Sequence, residues 1–275
     1  MSDNTSAGTP VPIGVFDSGV GGLSVLRALR HITPCQPVLY YADQGHVPYG
    51  PRSLEQVRSF AFDIARFLLQ NGARLIVVAC NAASAAALKS LREGFPDVPF
   101  VGMEPAVKPA AEGTRSGVVG VLATPATFQG ELYASVVERF ASGVRLLQHP
   151  CPGLVQEIEA GRTASDRTRQ ILTEAIQPML DEGIDTIVLG CTHYPFVIPM
   201  IEEIAGPGVR VIDPAPAVAR QTRRLLETNG WLTPSCDTQP AVRYFTSGDP
   251  AAMQALLPVL IGEQAGVEYK QVGSG

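Results

Sequence analysis

Two cysteines in this chain each follow a short apolar run, and that doubling is what could do chemistry. Leu75-Ile76-Val77-Val78-Ala79 leads into Cys80-Asn81, and Ile184 with Ile187-Val188-Leu189-Gly190 leads into Cys191-Thr192-His193. A short apolar run closed by a turn residue reads as a buried strand of a parallel sheet. The residues just past such a strand lie at its carboxyl end, where open α/β sheets place their ligands. One strand-end cysteine alone is more often a buried core thiol than a reactive group; two of them, each before a helix start, point further. A free thiol titrates near pH 8.5 and a helix N-terminus lowers that value, so one thiol could be ionised while the other keeps its proton. Placed on opposite flanks of a bound molecule, one would take a proton from carbon and the other return one to the opposite face. That inverts a stereocentre with no cofactor. Covalent catalysis by one cysteine would need only a positioned base and an oxyanion hole, so the doubling favours proton transfer.

The elements that must hold these residues repeat. Ile13-Gly14-Val15-Phe16 is a strand, Asp17 to Gly22 (DSGVGG) a tight turn, and Leu23, Leu26 and Leu29 recur at helical spacing. Strand, glycine turn and helix present backbone N–H groups to an anion, but the spacing is not the dinucleotide fingerprint. Val38 to Asp43 is a second strand, followed by the proline- and glycine-fixed loop QGHVPYGPR over Gln44–Arg52. Ser53 with Gln56 forms a capping box for a helix whose apolar stripe is Val57, Phe60, Ala61, Ile64 and Leu68. Asn81 is the expected cap of the alanine-rich helix after Cys80. Gly117–Ala123 repeats the opening strand, with Thr124-Pro125-Ala126-Thr127 in place of the glycine turn. Gly14 to Cys80 is 66 positions and Gly120 to Cys191 is 71, which makes two half-copies of one plan. Later come an amphipathic helix over 166–182, a strand over 209–213, a helix over 217–227, an edge strand over 242–246, a helix over 250–261 and a final strand over 267–272. The tail after Trp231 offers no evident chemistry.

The expected fold is therefore α/β: two pseudo-symmetric, doubly wound parallel-sheet domains with the active site in the cleft between them. Residues 1–102 with 210–275 would form the Cys80 side and 103–209 the Cys191 side. The 275 residues are 45 % hydrophobic and 17 % charged, which suits strands buried on both faces. A net charge of −5 gives no electrostatic case for a nucleic-acid partner, and no apolar run reaches membrane-spanning length. The lead-in MSDNTSAGTP lacks the apolar core of a signal peptide. Five widely spaced cysteines without a CxxC pair argue against a disulfide framework or a zinc site and for a reducing cytoplasm. Cys35, Cys151 and Cys236 read as ordinary thiols.

The stretches DSGVGGLSVLRAL, YGPRS, VVACNAASA and LGCTHYP, in that order, resemble glutamate racemases of the cofactor-independent aspartate/glutamate racemase superfamily. The resemblance runs from about Ile13 to Asn229. It implies that Cys80 and Cys191 are an acid/base pair, Cys80 taking the α-proton of D-glutamate and Cys191 that of L-glutamate. It also implies that Asp17 assists Cys80, that His193 assists Cys191, and that Glu157 matches a family carboxylate, although CPGLVQEIE departs from the usual local pattern. Substrate contacts carry over to Asp17, Ser18, Tyr49, Gly50, Asn81, Thr127, Thr192 and His193. Ala82 stands where many members have Thr, so a hydroxyl contact is lost there and aspartate or another amino acid becomes an alternative substrate. A role in peptidoglycan synthesis and no cofactor complete what the resemblance implies; pseudo-symmetric subunits that trap a small substrate often dimerise, so a homodimer is expected. A binding protein without turnover is the reading from a different class.

Overall fold

A computed structural model describes residues 10–273; most of the polar lead-in, residues 1–9, lies outside the described residues. Two all-parallel sheets carry the chain. The first is built from β1 (Ile13–Asp17), β2 (Val38–Ala42), β3 (Leu75–Val78), β4 (Phe100–Gly102), β9 (Val242–Thr246) and β10 (Val267–Tyr269). The second is built from β5 (Val118–Ala123), β6 (Arg145–His149), β7 (Thr186–Gly190) and β8 (Arg210–Ile212). The strand order is β10-β9-β2-β1-β3-β4 in the first and β6-β5-β7-β8 in the second. Numbering strands from the start of each half gives the same order, 2-1-3-4, in both. The expected repeat is therefore present in the topology, with β9 and β10 added to one side of the first copy. Each reactive-cysteine candidate follows the third strand of its copy.

Both faces of each sheet are covered, which is why the strands read as unbroken apolar runs. In the first sheet Phe16, Tyr41, Ile76 and Val78 pack under α2 (Leu54–Gln70) and α3 (Asn81–Gly94). The alternate residues, Ile13, Val15, Tyr40 and Val77, pack against Leu23, Leu26 and Leu29 of α1 (Leu23–Ile32), α10 (Ala215–Thr228) and α11 (Pro250–Ile261). That second core continues into the other half through Leu154, Leu172, Ile176 and Leu189. Each fully buried Leu, Ile or Phe is worth about 1.5–3 kcal/mol, so burial in this shared core stabilises the packing of one half against the other. The far face of the second sheet, Val119, Val121 and Val188, is covered by α4 (Val107–Gly113) and α6 (Glu131–Phe140).

Several expectations need correction. β8 pairs with β7, so sheet membership changes after Ile212 and not at residue 209. β9 lies between β2 and β10 and is not an edge; β10 is. The capping box at Ser53 is present, but α3 is capped by Cys80 rather than Asn81. β6, the short α7 (Leu154–Glu159) and the 3-10 turn Tyr194–Val197 with α9 (Ile198–Ala205) are additions to the expected elements. Cys35 and Cys236 are not ordinary thiols: they form a disulfide between residues 201 positions apart, leaving Cys80, Cys151 and Cys191 free. The bridge ties the irregular 232–240 segment to the α1–β2 junction, where Thr233 N–H also donates to Gln36 and Arg30 to the Pro240 carbonyl. The pairing removes two of the five cysteines from the argument for a reducing compartment.

Candidate active site

The first half delivers its groups from adjacent carboxyl ends. β1 pairs with β3, Ala79 N–H donates to the Phe16 carbonyl, and Asp17 and Cys80 therefore emerge side by side. Asp17 is fully buried. Its Oδ2 accepts N–H groups from Gly22 (2.9 Å) and Gly19 (3.3 Å), while Oδ1 has no hydrogen-bond partner among the described residues. Burial raises its pKa against the pull of His193 and Gly22. The Cys80 thiol donates to Ser18 Oγ at 3.8 Å, and its sulfur accepts Ala83 N–H at 3.5 Å as the helix cap. Burial, then the charge of Asp17, push the thiol well above its usual value and outweigh that N–H. The expected lowering by the helix terminus is thus overruled, and Cys80 stands as a protonated acid. Asn81 is buried, and both its amide atoms are without a hydrogen-bond partner among the described residues.

The second half delivers Cys191, Thr192 and His193 immediately after β7. His193 Nδ1 lies 3.7 Å from Cys191 Sγ, and Nε2 lies 2.5 Å from Glu159 Oε1 on α7. Burial works to lower the His193 pKa, but the bonds to Cys191 and Glu159 prevail and raise it well above the usual value. Burial likewise works to raise Glu159, and the bonds from His193, Val20 N–H and Gln44 prevail and lower it. The two are a buried ion pair, an imidazolium with a carboxylate. Thr127, at the start of α5 (Pro125–Gln129), donates to the Gly190 carbonyl at 3.3 Å, beside Cys191.

The glycine turn after β1 closes the seam between the halves. Val20 N–H donates to Glu159 Oε1 (2.8 Å), and Ser24 Oγ donates to the Thr192 carbonyl (2.8 Å). Gly21 approaches so closely that a Cβ there would lie 2.3 Å from His193 Nδ1. Asp17, Ser18, Cys80, Asn81, Thr192, His193 and Cys191 are all at least nine-tenths buried around this turn. Cys80 and Cys191 are 4 % and 6 % exposed, so both cysteines lie beneath the surface.

Other expected residues stand differently. Glu157 faces away: its carboxylate is held by Arg162 and Ser165, which lower its pKa to about 2. The carboxylate that reaches His193 is Glu159, two residues on and about 200° around α7. Tyr49 is buried, and its hydroxyl donates to Asp43 Oδ2 (2.6 Å), so that hydroxyl serves the loop. Gly50 and Ala82 are half-buried on the loop and on the first turn of α3. Sequence reasoning passed over Asp43, which also accepts from Ser247 Oγ (2.6 Å), and over Gln44, whose amide donates to Glu159. The signal for Asp43 was its place at a strand's carboxyl end. Among the described residues no group of three His, Cys, Asp or Glu is disposed to hold a metal ion. No described helix is long and apolar enough to cross a membrane.

The Asp/Glu/Hydantoin racemase family model matches residues 14–222, which takes in every strand-end group above. The chain belongs to that family. Among members of this racemase family, a glutamate racemase of Ectopseudomonas mendocina is 54 % identical over 93 % of this chain and 97 % of its own length. The Escherichia coli glutamate racemase, solved with L-glutamate and the activator UDP-MurNAc-Ala, is 32 % identical, covers 97 % of this chain and 100 % of its own, and superposes with a TM-score of 0.84. The Francisella tularensis glutamate racemase, solved with D-glutamate, is 29 % identical over 95 % of this chain and 98 % of its own, with a TM-score of 0.81. The two-sheet architecture is thus shared with racemase-family enzymes.

Proposed function

We propose that this chain interconverts L- and D-glutamate by a two-base reaction between Cys191 and Cys80. The observation that carries the reading is the repeat: equivalent third strands end in a cysteine, and each cysteine has its own charged assistant. From L-glutamate, Cys191 as thiolate takes the α-proton, leaving a planar carbanion, and the Cys80 thiol returns a proton to the other face. Cys191 ends as thiol and Cys80 as thiolate, ready for the reverse reaction. The His193 imidazolium offers Nδ1–H to the Cys191 sulfur while that sulfur is anionic, and Glu159 holds the imidazolium charged. On the other flank Asp17 Oδ1 is a buried acceptor for the substrate ammonium, and the Asn81 amide offers both a donor and an acceptor. Solved relatives bound to L- or D-glutamate support the substrate. D-glutamate so formed would feed peptidoglycan synthesis in the cytoplasm, and a homodimer would be the working form.

The test is circular dichroism of L-glutamate with purified protein and no pyridoxal phosphate. Decay of optical activity to zero is expected, with Cys80→Ser and Cys191→Ser each abolishing it. Unchanged rotation rejects the proposal, as does a covalent adduct on one cysteine with the other dispensable. Ala82 makes a parallel run with aspartate worthwhile, and faster turnover of aspartate would reassign the substrate.

A further inference from the structure

Gln44, the second residue after β2, belongs to the Cys80 half yet bonds into the machinery of the other. Its amide is engaged at both ends. Nε2 donates to Glu159 Oε2 at 3.2 Å, and Oε1 accepts from Thr246 Oγ1, at the end of β9, at 3.0 Å. That hydroxyl in turn accepts Gly248 N–H at 3.0 Å. The neighbouring backbone is pinned too: Gly45 N–H donates to Ser247 Oγ (2.9 Å), and a Cβ on Gly248 would lie 2.7 Å from that of Gln44. The amide is therefore oriented by the C-terminal segment before it meets Glu159. On Glu159, Oε1 serves Val20 N–H and His193, while Gln44 is the partner of Oε2 among the described residues.

We infer that Gln44 is a positioning residue for the Cys191 step, fixing the rotation of the Glu159 carboxylate so that His193 is presented to Cys191. The inference rests on the two-base reading above. Glu159 sits at the last position of the six-residue helix α7, where backbone alone leaves its carboxylate free to turn. With Gln44 in place both oxygens are tethered from the first half, so the His193 side of the site is completed only when the loop is seated. The tail after Trp231 thereby gains a part in the chemistry through Thr246.

Two variants test this. Gln44→Leu keeps the bulk and removes both bonds; Thr246→Val removes only the far anchor. For Gln44→Leu we expect kcat/KM to fall about tenfold in both directions, because the enantiomers' equilibrium constant of one ties the two kcat/KM values together, with KM within about twofold and the loss therefore in kcat. The distinguishing readout is the primary isotope effect on kcat/KM with each enantiomer deuterated at the α-carbon. From α-deuterated L-glutamate the slowed Cys191 step is itself the cleavage of the C–D bond, so the effect grows. From α-deuterated D-glutamate Cys80 cleaves the C–D bond and the slowed step is protonation by Cys191, so the effect shrinks. The L-to-D ratio of these isotope effects should rise over wild type in Gln44→Leu, and in the same direction but less in Thr246→Val. A ratio equal to wild type in both variants, or a loss of kcat/KM carried by KM alone, overturns the inference. Wild-type protein that does not racemise glutamate removes the parent reading and this one with it; wild-type turnover with an unmoved ratio removes this one only.

Discussion

Replacing Glu159 by Gln isolates the charge of the buried pair with little change in volume. The Gln oxygen still accepts the Nε2–H of His193, but the carboxylate that holds the imidazolium charged is gone. A hydrogen bond to a charged partner is worth about 1.5–3 kcal/mol net. That loss lowers the proton affinity of His193 by roughly 1–2 pH units and, taken into the barrier, lowers kcat by about 10–100-fold. The pH dependence of stability comes from the same pair. His193 is raised in the folded state, so its contribution is complete below its ordinary 6.5 and disappears as pH rises through the folded value. Glu159 is lowered, so its contribution is complete above its ordinary 4.5 and disappears as pH falls through the folded value. Urea denaturation should therefore show the full destabilisation of Glu159→Gln between pH 4.5 and 6.5, shrinking on both sides. Glu157→Gln is the control from the same helix: its carboxylate pairs with Arg162, and racemisation should stay near wild type. A Glu159→Gln enzyme at wild-type kcat, or a Glu157→Gln enzyme that is inactive, would refute the assignment.

Three further outcomes can be checked directly. Gly21→Ala puts a methyl 2.3 Å from His193 Nδ1 and 2.7 Å from Thr192 Oγ1; overpacking should cost about 1–3 kcal/mol in urea denaturation and most of the racemisation rate, and wild-type activity would show that the turn is not tight. Asp185 accepts from Thr114, Ser116 and Thr186 among others; against a burial effect that raises it, these bonds hold its carboxyl at about 2. Asp185→Asn should lower Tm at neutral pH, with the gap to wild type closing as pH falls from 3.8 toward about 2; a gap that persists there contradicts the bonding. Thiol titration of unfolded, unreduced protein should count three of the five cysteines, and a count of five would dissolve the Cys35–Cys236 bridge.

Legibility in the sequence tracks locality. Strands β3 and β7 with their trailing cysteines are readable because each is a contiguous apolar run closed by a small residue. The repeat is readable because the turn-bearing strands β1 and β5 carry similar apolar-glycine spelling. The disulfide is not, since 201 intervening residues leave no local mark. Glu157 and Glu159 cannot be separated by type, and only the pitch of α7 decides which one faces His193. β9 alternates in sequence like a half-exposed strand, with Arg243 exposed, and although a final strand over 267–272 is readable, no local pattern says that it pairs with β9 and makes it internal. The direction of the Cys80 shift also lies beyond the sequence: a helix N-terminus favours the thiolate, and only three-dimensional burial beside Asp17 reverses that.

The seam has a kinetic consequence. Cys80 and Cys191 are buried, so on the two-base reading an amino acid reaches them only when the bonds from Val20, Ser24 and Gln44 to the opposite half let go. On that reading every catalytic cycle begins and ends with a breathing motion that undoes the arrangement on which proton transfer depends. Turnover then has a ceiling set by how often the jaws part, and solvent viscosity, more than the strength of either base, would be the quantity to which a well-tuned version of this enzyme responds.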